Sequence, residues 1–209
     1  MSWLAPWWRR PRGRVSVDVL VERFVAVDLE TTGLDPRRDA IVAAAAVPFV
    51  GGRPLEGLQT LVNPGRPIPP TATAVHGITD AMVAAAPPVD AVLPALVEAW
   101  AGDVVVGHGV GFDMAVIVRE RRARRLPPPA NPVLDTMRLA AAVHRDWTDV
   151  GLDAVADRLG VRIVGRHTAR GDAVAAGEIL LALLPALNRR GVRTVAELVW
   201  LQESVTVVR

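Results

Sequence analysis

The hydrophobic pattern changes period along the chain. Phe24 to Leu29 is a nearly unbroken apolar run and Ile41 to Phe49 is another, and runs of this length bounded by turn residues predict buried strands. Leu58 to Val62 predicts a third strand, with Gly51-Gly52-Arg53-Pro54 as the turn before it. Three strands on short connections predict an antiparallel meander. The proline-rich stretch Asn63 to Pro70 reads as loop, and Thr71 to His76 and Thr79 to Ala85 read as short helical turns, the second capped by Thr79. From there the period lengthens. Val92, Leu93, Leu96, Val97 and Trp100 recur at helical spacing within 89–100. Asp103 to Gly107 predicts a fourth strand and Gly111 to Arg125 a helix that Pro127-Pro128-Pro129 stops. Val133-Leu134 is a short fifth strand, and helices follow near 136–145, 152–159, 169–187 and 194–203. No repeat is present. A meander followed by strand–helix alternation predicts one α/β domain with a mixed sheet. The expected division is an appendage over 1–20, a domain over 21–190 and a C-terminal helix or tail over 191–209.

Composition narrows this picture modestly. A chain of 209 residues with 51% hydrophobic content is long and apolar enough to bury one core. The absence of cysteine excludes disulfides, thiolate metal sites and a cysteine nucleophile, and fits a reducing compartment. Formal charge is only +2, although the pI is near 10.6, because all 24 basic residues are arginine. Arginine suits phosphate, but the placement of the arginines carries more than their number. No stretch approaches the ~20 apolar residues of a membrane helix, and Ile41 to Val50 is short and holds Pro48. At the N-terminus Trp3, Trp7 and Trp8 precede Arg9, Arg10, Arg12 and Arg14, the reverse of a secretory signal, so a cytoplasmic location is expected. Pro6 and Pro11 argue against a continuous helix there. This Trp-rich segment reads as a tail folded back on the domain or as a docking peptide for a partner protein, ahead of a membrane anchor.

Candidate chemistry starts at the end of the first strand. Asp28 and Glu30 are two residues apart, so in a strand they project from the same face. Two adjacent carboxylates repel, and burying them without a cation is costly. Magnesium or manganese suits an all-oxygen site; a strand end running into solvent is the ordinary alternative. In Gly107-His108-Gly109-Val110-Gly111-Phe112-Asp113, Asp113 opens a helix, where the dipole favours an acid in any case. The glycines do not make G-x-G-x-x-G, which excludes a dinucleotide loop. Asp172 lies in the first turns of a largely apolar helix and needs a partner, which a metal shared with Asp28 and Glu30 would supply. His167 stands at the start of that helix, either as a surface histidine or as a base for a water. Asp149, Asp153 and Asp157 read as solvent-exposed. The run Arg119, Arg121, Arg122, Arg124 and Arg125 reads equally as a phosphate track or as a solvated helix end.

In order, Asp28-Leu29-Glu30-Thr31-Thr32-Gly33-Leu34, Val75-His76-Gly77-Ile78-Thr79, Phe112-Asp113, Asp135-Thr136 and His167-x4-Asp172 resemble the DnaQ-like 3′–5′ exonucleases, the histidine branch of the DEDD superfamily. The resemblance runs from about Phe24 to Leu184. It implies a ribonuclease-H-like fold, a mixed five-stranded sheet flanked by helices. It also implies two divalent cations, Mg2+ or Mn2+, on Asp28, Glu30, Asp113 and Asp172, with Asp28 bridging them and His167 as general base. The implied activity releases nucleoside 5′-monophosphates from single-stranded DNA 3′ ends. By the same matching, Thr31, Thr32, Gly33 and Leu34 contact the terminal nucleotide, and His76 and Phe112 line its pocket. Read from the residues themselves, Thr32 belongs to a turn and Phe112 to the core, whereas Thr31 and His76 favour the functional role. Asp135 is expected to support rather than ligate. Gly109 stands where the family often has Asn, which touches substrate preference more than catalysis; Thr31 follows the DnaQ type rather than the oligoribonuclease type. RNA 3′-end trimming is the runner-up activity, and an accessory module docked on a polymerase or other protein is the non-enzymatic alternative.

Overall fold

The computed structural model of the chain describes residues 16–206. The Trp-rich segment expected to fold back or to dock a partner lies outside the described residues. A short helix α1 (Val19–Glu22) leads into β1 (Arg23–Thr31), followed by β2 (Ile41–Val50), β3 (Arg53–Pro54) and β4 (Leu58–Leu61). Helices α2 (Pro70–His76), α3 (Asp80–Val83) and α4 (Val89–Glu98) precede β5 (Val105–Gly107) and α5 (Gly111–Ala123). The chain ends with β6 (Val133–Asp135), α6 (Thr136–Val143), α7 (Leu152–Leu159), α8 (Ala169–Arg189) and α9 (Val195–Glu203).

The strands make one mixed sheet in the order β3-β2-β1-β5-β6, with β4 also pairing with β2. β1 runs antiparallel to β2 and parallel to β5, and β5 runs parallel to β6. The ribonuclease-H-like α/β class expected from the motifs is therefore present, with six strands rather than five. The extra strand is β3, taken from sequence as part of a turn. Gly51 and Gly52 adopt positive φ (58° and 74°), and this two-residue reversal sets Arg53 against Val50.

Strand alternation divides the core into two faces. Phe24 and Ala26 of β1, with Ala43, Ala45, Val47 and Phe49 of β2, face a core built with α6, α7, α8 and α9. Val25, Val27 and Leu29, with Ala44 and Ala46, face α4 and α5. The alanines let α8 approach the sheet closely. At Gly177 a Cβ would stand 2.4 Å from the Phe49 ring, which itself stacks on Phe24 at 4.6 Å. Val17 and Leu20 at one end of the described chain, and Val195, Leu198 and Val199 in α9, are buried in the same core. Among the described residues α8 is long and apolar enough to cross a membrane by length and composition, contrary to the expectation that no such stretch exists. Its buried face, from Ala173 to Leu187, packs against the first of these cores.

Candidate active site

The site forms at the C-terminal end of β1, where α8 on one face and the start of α5 converge. Asp28 and Glu30 continue the face of Phe24 and Ala26, so they point toward α8 rather than into solvent. Their cross-strand neighbours on β2 are Ala45 and Ala43, small residues beside the carboxylates. From α8, buried Asp172 meets them, and one oxygen from each of Asp28, Glu30 and Asp172 lies within 4.8 Å of the others.

Asp113 arrives for a different reason. The parallel pairing of β1 with β5 runs through Val25 and Ala26 only, because β5 ends at Gly107. The Leu29 N–H would then be a buried donor without a strand partner, and Asp113 Oδ1 accepts it at 3.0 Å. Asp113 stands outside the three-acid group, but its charge is felt at Asp28. Asp135 supports the same corner. Its Oδ1 accepts the Gly109 N–H (2.8 Å) and the Met137 N–H (3.1 Å), capping α6 and holding the loop that leads into α5.

Electrostatics mark this corner as a cation site. Burial first, then Asp113, Asp172 and Glu30, holds the Asp28 carboxyl well above the usual carboxylate range. Burial and then Asp172 push Glu30 up to about 7, and burial also raises Asp172. In each case Arg166 opposes the shift. Its Nε donates to both Asp153 oxygens (2.9 and 3.1 Å), while Nη1 donates to Asp172 Oδ2. A guanidinium is thus the cation among the acids. The donor set is all oxygen and electron-rich, which fits a hard divalent ion such as Mg2+ or Mn2+ on Asp28, Glu30 and Asp172, with Asp113 beside them.

His167 is exposed at the mouth of this group. Its N–H donates to Asp172 Oδ1 (3.3 Å), and its Nδ1 lies 3.3 Å from Arg166 Nη1. A guanidinium only donates, so Nδ1 is the acceptor in this contact. The backbone at His167 is left-handed (φ 61°), a conformation histidine visits more readily than most residues. The loop is seated on α8 at Gly171, where a Cβ would stand 2.0 Å from the Gly165 carbonyl oxygen. Thr168 then caps α8 by accepting the Gly171 N–H.

A cleft of about 510 Å³ opens from the acids. Thr31, Gly33, Leu34, His76 and Phe112 line it with Asp28, Glu30 and Asp113. Leu34 and Val75 are exposed apolar side chains at its rim. Thr31 Oγ1 donates to the Gly33 carbonyl, fixing the turn. His76 Nδ1 accepts the Ile78 N–H (3.0 Å), so its neutral ring carries the proton on Nε2, a buried donor near the Thr31 backbone that makes no full hydrogen bond. Burial lowers the His76 pKa and keeps the ring neutral. Thr32, matched to the substrate edge, does not line the cleft: it is buried, and its hydroxyl bridges Asp39 Oδ1 and the Ala40 N–H at 3.0 Å each. Phe112 is half-buried, packed on the α4–α5 core while one side lines the cleft.

Two features escaped the motifs. His108 also lines the cleft, and its ring is held between Thr136 Oγ1 and the Val150 carbonyl (2.9 Å each). Arg166 joins Asp153, read as merely exposed, to Asp172. Only its position beside His167 hinted at a role; its partners lie 13 residues before and six after it.

Comparison with known proteins points the same way. Residues 25–180 match the family described as Exonuclease. A DNA polymerase III subunit epsilon-like protein of Rhodobacter capsulatus is 48% identical over 178 residues, covering 82% of this chain and 25% of its own length. The DNA polymerase III subunit epsilon of Aquifex aeolicus is 35% identical over 164 residues, covering 78% of this chain and 81% of its own. Among solved structures, exonuclease X in complex with 5′-overhanging duplex DNA aligns with a TM-score of 0.63 at 27% identity, over 85% of this chain and 98% of that one. The chain spans 25%, 12% and 28% of the length of three of the curated relatives it matches.

Proposed function

The chain belongs to the DnaQ-like 3′–5′ exonuclease family, and from that membership we propose that it is a metal-dependent 3′–5′ exonuclease releasing nucleoside 5′-monophosphates from single-stranded DNA ends. The observation that carries the reading is the clustering of Asp28, Glu30 and Asp172, the first two of which line a cleft with Thr31, Gly33 and Leu34. Two divalent cations, Mg2+ or Mn2+, held by these acids and Asp113 would supply charge stabilisation for in-line displacement at phosphorus and an acidified water. The protein's own groups do the rest. Leu34 and Val75 flank the terminal base with apolar surface, and Phe112 backs it. His76, which lines the cleft beside Thr31, is placed against the terminal nucleotide. His167 is the base for the attacking water, taking its proton at Nε2. A ring ready to do so carries its resting proton on Nδ1, which requires the Arg166 contact to open.

DNA is favoured over RNA because exonuclease X, the neighbour at 27% identity, was solved on DNA. A cytoplasmic location fits the absence of cysteine. The test is digestion of single-stranded DNA and RNA labelled near the 5′ end, with Mg2+, Mn2+ or EDTA. Mononucleotide release should require the metal, run faster on DNA, and fall by roughly a thousandfold or more in Asp28→Ala. Equal inactivity of both proteins on every metal and strand would overturn the reading. The polymerase-subunit relatives suggest a protein partner, and we propose the Trp-rich N-terminal segment as its docking peptide. Deleting residues 1–14 should release a co-purifying protein and leave digestion intact.

A further inference from the structure

The arginine run of α5 separates in three dimensions. Arg119 and Arg124 turn toward a second cavity of about 480 Å³, which Arg37, Arg38 and Arg66 complete, while Arg122 and Arg125 line a different surface. Five guanidiniums thus surround one space, and three carboxylates answer them. Glu120 is shared by Arg119 and Arg124, Asp90 pairs with Arg124, and Asp35 is shared by Arg37 and Arg38. Among the described residues Arg66 makes no ion pair; its Nη1 donates to the Arg38 carbonyl (2.9 Å). A carbonyl positions a guanidinium without neutralising it.

The cavity is continuous with the substrate edge through one braced loop. Gly33 and Leu34 at the start of the loop between β1 and β2 line the catalytic cleft, and Arg37, Arg38 and Ala40 at its end line the arginine cavity. Thr32 and Asp39 close the loop across its base, and Asp39 Oδ2 accepts the Asp35 N–H (2.8 Å). Arg119 then fixes the loop from α5 by donating to the Pro36 and Asp39 carbonyls (2.8 and 2.6 Å). Arg119 and Arg124 are therefore the framework, whereas Arg37 and Arg38, paired with Asp35 but with side chains 90% and 80% exposed, and the exposed Arg66 are placed to meet a ligand.

We propose that this cavity is a second anion site that takes the phosphodiester backbone of a polynucleotide upstream of the 3′ end seated in the cleft. This rests on the exonuclease reading for the occupant of the cleft. Recognition is of phosphate, by guanidinium forks, and carries no sequence preference. It gives the enzyme a hold on long strands that a dinucleotide cannot use.

The test compares wild type with R37A/R38A/R66A, leaving Arg119 and Arg124 in place, with thermal melting as the folding control. Anisotropy with a fluorescent oligothymidylate in EDTA should show binding weakened about tenfold or more, and the slope of log K against log salt should fall by about 2, at ~0.7 per phosphate contact. With Mg2+ or Mn2+, kcat/KM on the long strand should fall through KM while kcat/KM on a dinucleotide is unchanged. Equal binding and equal slope would overturn the proposal, as would equal losses on dinucleotide and long strand, which would assign the arginines to the catalytic loop alone. A wild type that binds long strands with the steeper slope and cleaves neither substrate would leave this site standing and overturn the exonuclease reading.

Discussion

At the scale of single residues, Arg166 connects most of the site's chemistry. It is gripped by Asp153, donates to Asp172 Oδ2 and faces His167 Nδ1. Its charge opposes the upward shifts at Asp28, Glu30 and Asp172 that burial creates. A divalent ion held by Asp172 would compete with that guanidinium for the carboxylate. Arg166→Met keeps the length of the side chain and removes the charge. The variant should melt at lower temperature than wild type in EDTA and bind Mn2+ several-fold more tightly by electron paramagnetic resonance titration. Unchanged Mn2+ affinity would mean that the arginine and the ion share Asp172 without competing. The three acids that the fold brings together, Asp28, Glu30 and Asp172, were legible in sequence because each lies at fixed spacing in a motif. Arg166 was not, because an arginine acquires its meaning from partners that only the fold brings near, and Asp153 in isolation is an ordinary surface acid. Thr32 shows the reverse: the motif match sets it at the substrate edge, whereas the residue reading sets it in a turn, and its hydroxyl is held there by Asp39.

At the scale of elements, strand and helix positions followed closely from hydrophobic period, because β1, β2 and α8 are long and their apolar faces regular. Two things did not follow. β3 depends on a glycine pair that reads as punctuation until its backbone is seen. The role of α9 was hidden for another reason. Its sequence predicts a helix, but the residue that docks it is polar. Buried Gln202 accepts the Asp135 N–H and donates to the Val133 carbonyl, both at 2.8 Å, so a helix side chain completes the edge of β6 as a seventh strand would. Gln202→Leu preserves the volume and removes both bonds. Two buried backbone groups then lose their partners, at ~1–3 kcal/mol each. Urea denaturation should show a loss of about 2–6 kcal/mol, and digestion should slow because Asp135 also holds the Gly109 loop. A loss below about 0.5 kcal/mol, the range of ordinary surface changes, would show that water replaces the side chain.

At the scale of the whole molecule, the fold gathers acids from residues 28, 30, 113 and 172 at the junction of the sheet with α5 and α8, and their repulsion opposes the packing that brings them together. The consequence is a dependence on pH that runs opposite to a salt-bridged carboxylate. Glu30 titrates at about 7 in the fold against an ordinary value of 4.5. Below the ordinary value the group is protonated in both folded and unfolded chains, and no penalty exists. As pH rises between the two values the unfolded chain ionises first, so the fold loses stability; above about 7 the full penalty applies. The histidines His76 and His144, whose pKa values burial lowers, act in the opposite sense over part of this range, so wild type alone is a poor reporter. The comparison with Glu30→Gln removes them. In EDTA the variant should be more stable than wild type at alkaline pH, with the difference shrinking to nothing as pH falls toward that of a free carboxyl. Saturating Mn2+ should reverse the order, because a ligand that binds only the folded chain adds about 2.7 kcal/mol at a hundredfold excess over its Kd, and the variant binds it less well. A constant difference across pH would show that Glu30 is solvated like a surface acid, and the strain assigned to the metal-free site would then have to lie in Asp28.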